Sequence, residues 1–187
     1  MQGWQEIPLS DHGNAQASAL GRRLADVQLD HIYSSDLRRT TMTACIVAAH
    51  TGTPISYDAL YRERNPGDLT DEPHELCIPF FEDPDYAPPN GESVPVFRER
   101  VREAFDGLIA LEGDSDRHVA VVTHGMVCSN FVQVFLGFNL REDPKFHWAN
   151  TSLTVCDYRD GVWEHSLLAC AEHLEGLDSA AEDRVGG

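Results

Sequence analysis

Lysine is almost absent from this chain: of 187 residues only Lys145 is a lysine, and the formal net charge is −17. A surface of that sign repels nucleic acid and anionic membranes, so neither is expected as a partner. It also offers no long-range attraction to an anionic substrate. Any phosphate site must therefore be a local cluster of arginine, histidine and backbone N–H groups. Long apolar runs are missing too. Hydrophobic residues make up 42%, ordinary for a globular protein, and no run approaches the length of a membrane span. The opening residues MQGWQEIPLS have neither the basic start nor the apolar core of a secretory signal, which predicts a cytoplasmic protein. Cys45, Cys77, Cys128, Cys156 and Cys170 are odd in number and never spaced as Cys-x-x-Cys. They read as reduced, mostly buried thiols rather than a disulfide or zinc framework. With no carboxylate or cysteine cluster at ligand spacing, neither a metal nor another cofactor is expected.

What is present centres on Val119 to Gly125, VAVVTHG. Four apolar or small residues predict a buried central strand, which Thr123, His124 and Gly125 stop abruptly. Met126 to Leu136 then reads as a packed helix closed by Gly137. Such a strand delivers an imidazole to the carboxyl edge of a sheet, where ligands of open α/β folds bind and helix N-termini attract phosphate. The competing reading is a histidine that merely caps the helix behind it.

The rest of the chain frames that unit. Trp4, Ile7 and Leu9 anchor an extended start, and Ser10 caps a helix predicted to run to about Val27. Ile32 and Tyr33 form a short strand. Asp36 is expected to open a helix through about His50, closed by Gly52. Ile55 to Tyr57 suits an edge strand, and Leu60 to Glu63 a further extended piece. Residues 64–92, with six prolines and Phe80, Phe81 and Tyr86 among them, read as one long irregular loop, the kind that serves as a lid or specificity loop. Ser93 caps a helix whose Phe97, Val101, Ala104, Leu108 and Leu111 step by four, three, four and three. Two closing strands, Thr151 to Cys156 and Val162 to Leu168, meet at an Asp160-Gly161 turn. One α/β domain over residues 1–173 is expected, followed by an acidic flexible tail over 174–187.

The blocks QGWQEIPLS, DHIYSSDLRRTTMTA, YRERNPGDL, PPNGES, VVTHGMV and NTSLT occur here in that order. Together they resemble the phosphoglycerate-mutase-like branch of the histidine phosphatase superfamily, over nearly the whole chain. The resemblance implies a three-layer sandwich: a mainly parallel central sheet with helices on both faces. It also implies hydrolysis of a small-molecule phosphomonoester through a phosphohistidine, in which a histidine of an Arg-His-Gly motif attacks phosphorus and water then releases phosphate. Carried onto this chain, the phosphate-pocket arginine falls on Arg39, with Arg38 the solvated neighbour. A guanidinium suits that task because it stays charged and binds two oxygens at once. The proton donor falls on Glu63, provided that a desolvated site raises its pKa and that Arg62 or Arg64 does not tie it up in an ion pair. The second pocket histidine falls on His124, with Gly125 beside it, and Gln2 and Gly3 match positions near the family's substrate.

One departure stands against these matches. The family's first strand and its Arg-His-Gly motif precede the QGW block, where this chain begins, so the expected fold has its first strand missing. His12, in SDHGN, also reads His-Gly, but no apolar strand leads into it and no arginine precedes it. Two readings follow. In one, the longer family form is an ordinary phosphatase whose nucleophile lies outside these residues; the retention of Arg39, Glu63 and His124 favours it. In the other, the chain is an inactive pseudo-phosphatase that binds phosphorylated ligands or partners. Hydrolysis is preferred to mutase chemistry because residues 64–92 contain no lysine and no arginine after Arg64, while Asp68, Asp71, Glu72, Glu75, Glu82, Asp83 and Asp85 make the segment acidic. A neutral or apolar leaving group fits such a segment better than a multiply charged one.

Overall fold

Short strands at the centre are covered on both faces by helices whose apolar stripes match them. The computed structural model describes residues 2–113, 115–140 and 148–177. Strand β1 (His31–Ser34) pairs in parallel with β2 (Ile55–Tyr57) on one side and with β3 (Val119–Val122) on the other. Ile32, fully buried, stands opposite Ile55 and Ala120. Side chains alternate across a strand, and that alternation sorts the two cores. Ile32, Ala120 and Val122 face helices α1 (Asp11–Leu24) and α2 (Arg38–Thr51), packing on Leu20, Leu24, Ala44 and Val47. Tyr33, Val119 and Val121 face α4 (Val94–Glu112) and α5 (Gly125–Val134), packing on Phe97, Val101, Phe105, Leu108, Val127 and Phe131. The expected layers, helices on both faces of a parallel sheet, are present.

The caps explain most of the boundaries. Ser10 and Ser93 accept from Gly13 N and Val96 N, and Gly52 ends α2 in the left-handed region at φ 73°. Asp36 does not open α2 as expected. The helix starts two residues later behind Leu37, which offers no side-chain cap, because the Asp36 carboxylate is engaged by Arg62. Leu60 to Glu63 is not extended either: Ala59–Tyr61 is a 3-10 turn capped by Asp58.

Two further expectations are corrected. Residues 64–92 are not irregular throughout, since α3 (His74–Glu82) lies inside them and buries Cys77 and Phe80. Pro73 just ahead of it fits a helix start, whereas Pro79 lies within the helix and masked its period in the sequence. The VAVV strand is not buried: all four residues are half-exposed. Among the described residues β3 pairs only with β1, and β4 (Leu153–Arg159) and β5 (Val162–Cys170) form a separate antiparallel pair. That pair still straddles both cores, Leu153 packing on the α1–α2 side and Trp163 and Leu168 on the α4–α5 side. Of the tail expected to be flexible, residues 178–187 lie outside the described residues.

Candidate active site

Register brings the carboxyl ends of β1 and β3 side by side, with Ser34 opposite Val122, so Ser35 and His124 emerge as neighbours. Ser35 N donates to Val122 O at 2.9 Å, and Ser35 Oγ lies 2.9 Å from His124 Nε2. His124 occupies the cap position of α5, yet its side chain makes no cap hydrogen bond. The imidazole turns to the serine instead, which removes the simple capping role. His124 is 8% exposed, and burial, followed by the positive charges of Arg39 and Arg100, pushes its pKa down to about 3. The imidazole is therefore neutral at physiological pH. Gly125 follows as the exposed first residue of α5.

Arg39 stands in the first turn of α2, half-buried, while Arg38 is exposed. Its Nη2 donates to Gly3 O at 2.9 Å and its Nη1 to Gln5 O at 3.3 Å. A guanidinium has five N–H groups, so donors remain for an anion. Burial lowers its pKa while Glu63 and Glu6 oppose the shift, and arginine stays charged regardless. Gly3 is buried at φ 47°, with the Pro66 ring where a Cβ would stand. It thus belongs to the site as the carbonyl that holds Arg39. Gln2 is exposed, and its carbonyl accepts from Gln5 N at 3.0 Å in a tight turn.

Glu63 is held from three sides. Thr123 Oγ1 donates to Tyr61 O at 2.7 Å, which ties the preceding turn to the end of β3. Trp4 Nε1 donates to Glu63 O at 2.7 Å. The carboxylate accepts from Arg64 N at 2.9 Å and from Met126 N, in the first turn of α5, at 3.2 Å. Burial raises its pKa; those two N–H groups and the charges of Arg39 and Arg100 oppose the rise. The alternative ion pairs are not formed. Arg62 grips Asp36 through two bonds of 2.6 Å and lies 4.7 Å over the Trp4 ring. The guanidinium of Arg64 points the other way, into the 64–92 segment. Arg39, Glu63 and His124 are thus brought together, close enough that the Arg39 charge shifts both of the others.

Two arginines carry the frame; the sequence marked Arg64 only as an ion-pair alternative for Glu63 and did not mark Arg100. Arg100 on α4 donates to Leu60 O and Arg62 O at 2.8 Å and to Glu63 O at 3.1 Å, and pairs with Glu92 at 2.7 Å. Its one signal was a charge set between the apolar positions Phe97 and Val101. Arg64, 1% exposed, donates to Phe80 O at 2.6 Å, Glu92 O at 2.9 Å and Tyr86 O at 3.1 Å, and lies 3.8 Å over the Phe80 ring. The segment's neck is closed by Asp68 N to Pro89 O and Glu92 N to Asn65 O, both 2.9 Å. Gly67, at φ 52°, lets the two strands of that neck touch, since a Cβ there would meet Pro89 O. His12 sits in the first turn of α1, behind the Ser10 cap.

Chemically, the cluster offers a guanidinium, a neutral imidazole hydrogen-bonded to a serine, and a carboxyl group that burial keeps reluctant to ionise. All three lie at a helix N-terminus on the carboxyl edge of a parallel sheet, a setting for an oxyanion and a proton donor. No group of three or more His, Cys, Asp or Glu residues that could hold a metal occurs among the described residues, and none of their helices is long and apolar enough to cross a membrane.

The family model described as the histidine phosphatase superfamily (branch 1) matches residues 1–171. The chain is 29% identical over 198 residues to the probable phosphoglycerate mutase GpmB of Erwinia tasmaniensis, covering 99% of this chain and 90% of that protein. Among solved structures it is similar to Bacillus stearothermophilus YhfR, with TM-score 0.82 and 29% identity over 94% of this chain and 91% of that one. It is also similar to a mycobacterial glucosyl-3-phosphoglycerate phosphatase in complex with inorganic phosphate, with TM-score 0.77, 28% identity and 92% of each chain covered.

Proposed function

Because the chain belongs to the histidine phosphatase superfamily, we propose that its Arg39–Glu63–His124 pocket serves hydrolysis of a small-molecule phosphomonoester through a phosphohistidine. The observation that carries this reading is the convergence of those three groups on one sheet edge, with the carboxyl pKa raised and the imidazole neutral. In this reading the free N–H groups of Arg39 and the N–H groups around Gly125 bind phosphoryl oxygens, and His124 shares a proton with them. A second histidine attacks phosphorus: an N–P bond forms, the ester O–P bond breaks, and Glu63 passes its proton to the leaving oxygen. Water then attacks phosphorus, giving its proton back to Glu63 as the N–P bond breaks. The Arg-His-Gly sequence does not occur among the 187 residues. The edge of β3 that pairs with nothing among the described residues is where a strand carrying it would seat, beside His124. The acidic 64–92 segment favours hydrolysis with a neutral or apolar leaving group over mutase chemistry. The cytoplasm is the compartment that the free thiols of all five cysteines suit best.

The test compares the chain as given with one extended ahead of Gln2 by an apolar strand and Arg-His-Gly. The shorter chain should bind inorganic phosphate or vanadate without hydrolysing an aryl phosphate. The extension should add both turnover and thermal stability, and a His→Ala version of the added motif should keep only the stability. Turnover by the unextended chain that His12→Ala abolishes would overturn this assignment of the nucleophile. A second reading, a phospho-ligand binding module, is favoured by one observation: His124 is the single histidine this pocket gathers among the described residues. Its signature is ligand binding that no added strand converts into turnover.

A further inference from the structure

A groove of about 240 Å³ runs between the first turn of α4 and one face of α5. Val94 and Phe97 form one wall, Met126, Ser129, Asn130 and Gln133 the other, and Arg98 stands at the exposed rim. The α5 residues are spaced i, i+3, i+4 and i+7, a single helix face. Two observations single this groove out. The first is its position: Met126, one of its lining residues, also holds the Glu63 carboxylate through its N–H. An oxygen that takes a proton from Glu63 therefore lies beside a residue of this groove. The second is Asn130, which is 5% exposed and whose Oδ1 has no hydrogen-bond partner among the described residues. A buried amide oxygen without a donor is costly and uncommon, and a ligand hydroxyl would supply the missing proton.

Resting on the phosphatase reading, we infer that this groove is the leaving-group subsite. It takes the flat apolar body of an aryl-type alcohol between Phe97 and Met126, with a second hydroxyl of that alcohol reaching Asn130. Val94, Phe97 and Met126 contribute apolar contact, while Ser129, Asn130 and Gln133 orient the ring. Specificity thus comes from α4 and α5 as well as from the acidic segment.

The increment between two probes tests this, measured by calorimetry on the full chain. Inorganic phosphate reports the Arg39–His124 pocket alone, and 1-naphthyl phosphate reports the pocket plus the groove. The naphthyl ester should bind at least about tenfold more tightly. Val94→Trp and Gln133→Trp, each filling the groove, should abolish that advantage and leave phosphate affinity unchanged. In wild-type protein the ester, but not phosphate, should shift the backbone amide resonances of Ser129, Asn130 and Gln133, a readout that needs no variant. An ester advantage that survives in both folded variants, or no advantage in the wild type, overturns the subsite. If phosphate itself fails to bind, or Arg39→Gln leaves its affinity unchanged, the phosphate-pocket reading fails instead. In that case 1-naphthol alone decides the groove: shifts of the same three amides support it, and unmoved amides overturn it.

Discussion

Lowering the pH from 8 to 5 should destabilise this protein through His124, by an amount the structure sets. The ring is 8% exposed and hydrogen-bonded to Ser35, and Arg39 and Arg100 add positive potential, so its pKa falls from 6.5 to about 3. Between those two values the unfolded chain binds a proton that the native state refuses, so stability falls as the pH is lowered. At pH 5 this amounts to about 2 kcal/mol relative to pH 8, roughly 4–8 °C in Tm for a chain of this size. Glu63 acts in the opposite sense. Its raised pKa contributes stability that is fully present below the unfolded carboxyl value and lost as pH rises through the folded value. Comparison with His124→Gln, which keeps Glu63 and can still bond Ser35, removes that contribution by subtraction. Urea unfolding of both proteins at pH 8 and 5 should show the wild type losing about 2 kcal/mol more than the variant. Parallel losses, or an imidazole resonance for His124 that titrates near pH 6.5, would refute the account of burial and repulsion.

Three further outcomes follow from the same contacts. Binding of a phosphate dianion should raise the His124 pKa, so calorimetry in buffers of different ionisation enthalpy should register proton uptake between pH 5 and 7; none would place the anion elsewhere. Arg39→Ala should weaken phosphate or vanadate by roughly 10–150-fold, one charge-assisted hydrogen bond being worth about 1.5–3 kcal/mol, while Arg38→Ala should change it less than about twofold. Arg64→Met leaves the carbonyls of Phe80, Tyr86 and Glu92 without their donor, so limited proteolysis should move to residues 68–90 and stability should fall by about 1–3 kcal/mol for each carbonyl that stays buried; an unchanged cleavage pattern would show that the neck alone holds the segment.

How much of this was legible in the sequence depends on range. Local chemistry was readable: Ser10, Gly52 and Ser93 cap where their side chains or φ freedom require it, and the stepping of Phe97, Val101, Ala104 and Leu108 marks the buried face of α4. The groups at the site were readable because ordered motifs carried them. What escaped were residues whose partners are distant. Arg64 and Arg100 look like solvated charges until their carbonyl acceptors, up to 40 positions away, are folded onto them. Asp36 looked like a cap because its competitor, Arg62, lies 26 residues on. The VAVV strand was read as buried because composition records apolarity, whereas exposure depends on whether both strand edges are paired.

The neck of the 64–92 segment has a consequence for how such a protein can change. Asn65 and Asp68 are bound to Glu92 and Pro89, so the chain between them leaves and returns at one point. Its length and composition can vary without displacing Glu63, which is fixed from behind by Arg100 and Trp4. Only one condition travels with any replacement: it must return carbonyl oxygens to the Arg64 guanidinium. The segment is a cassette on a single anchor, exchangeable while Glu63 stays in place.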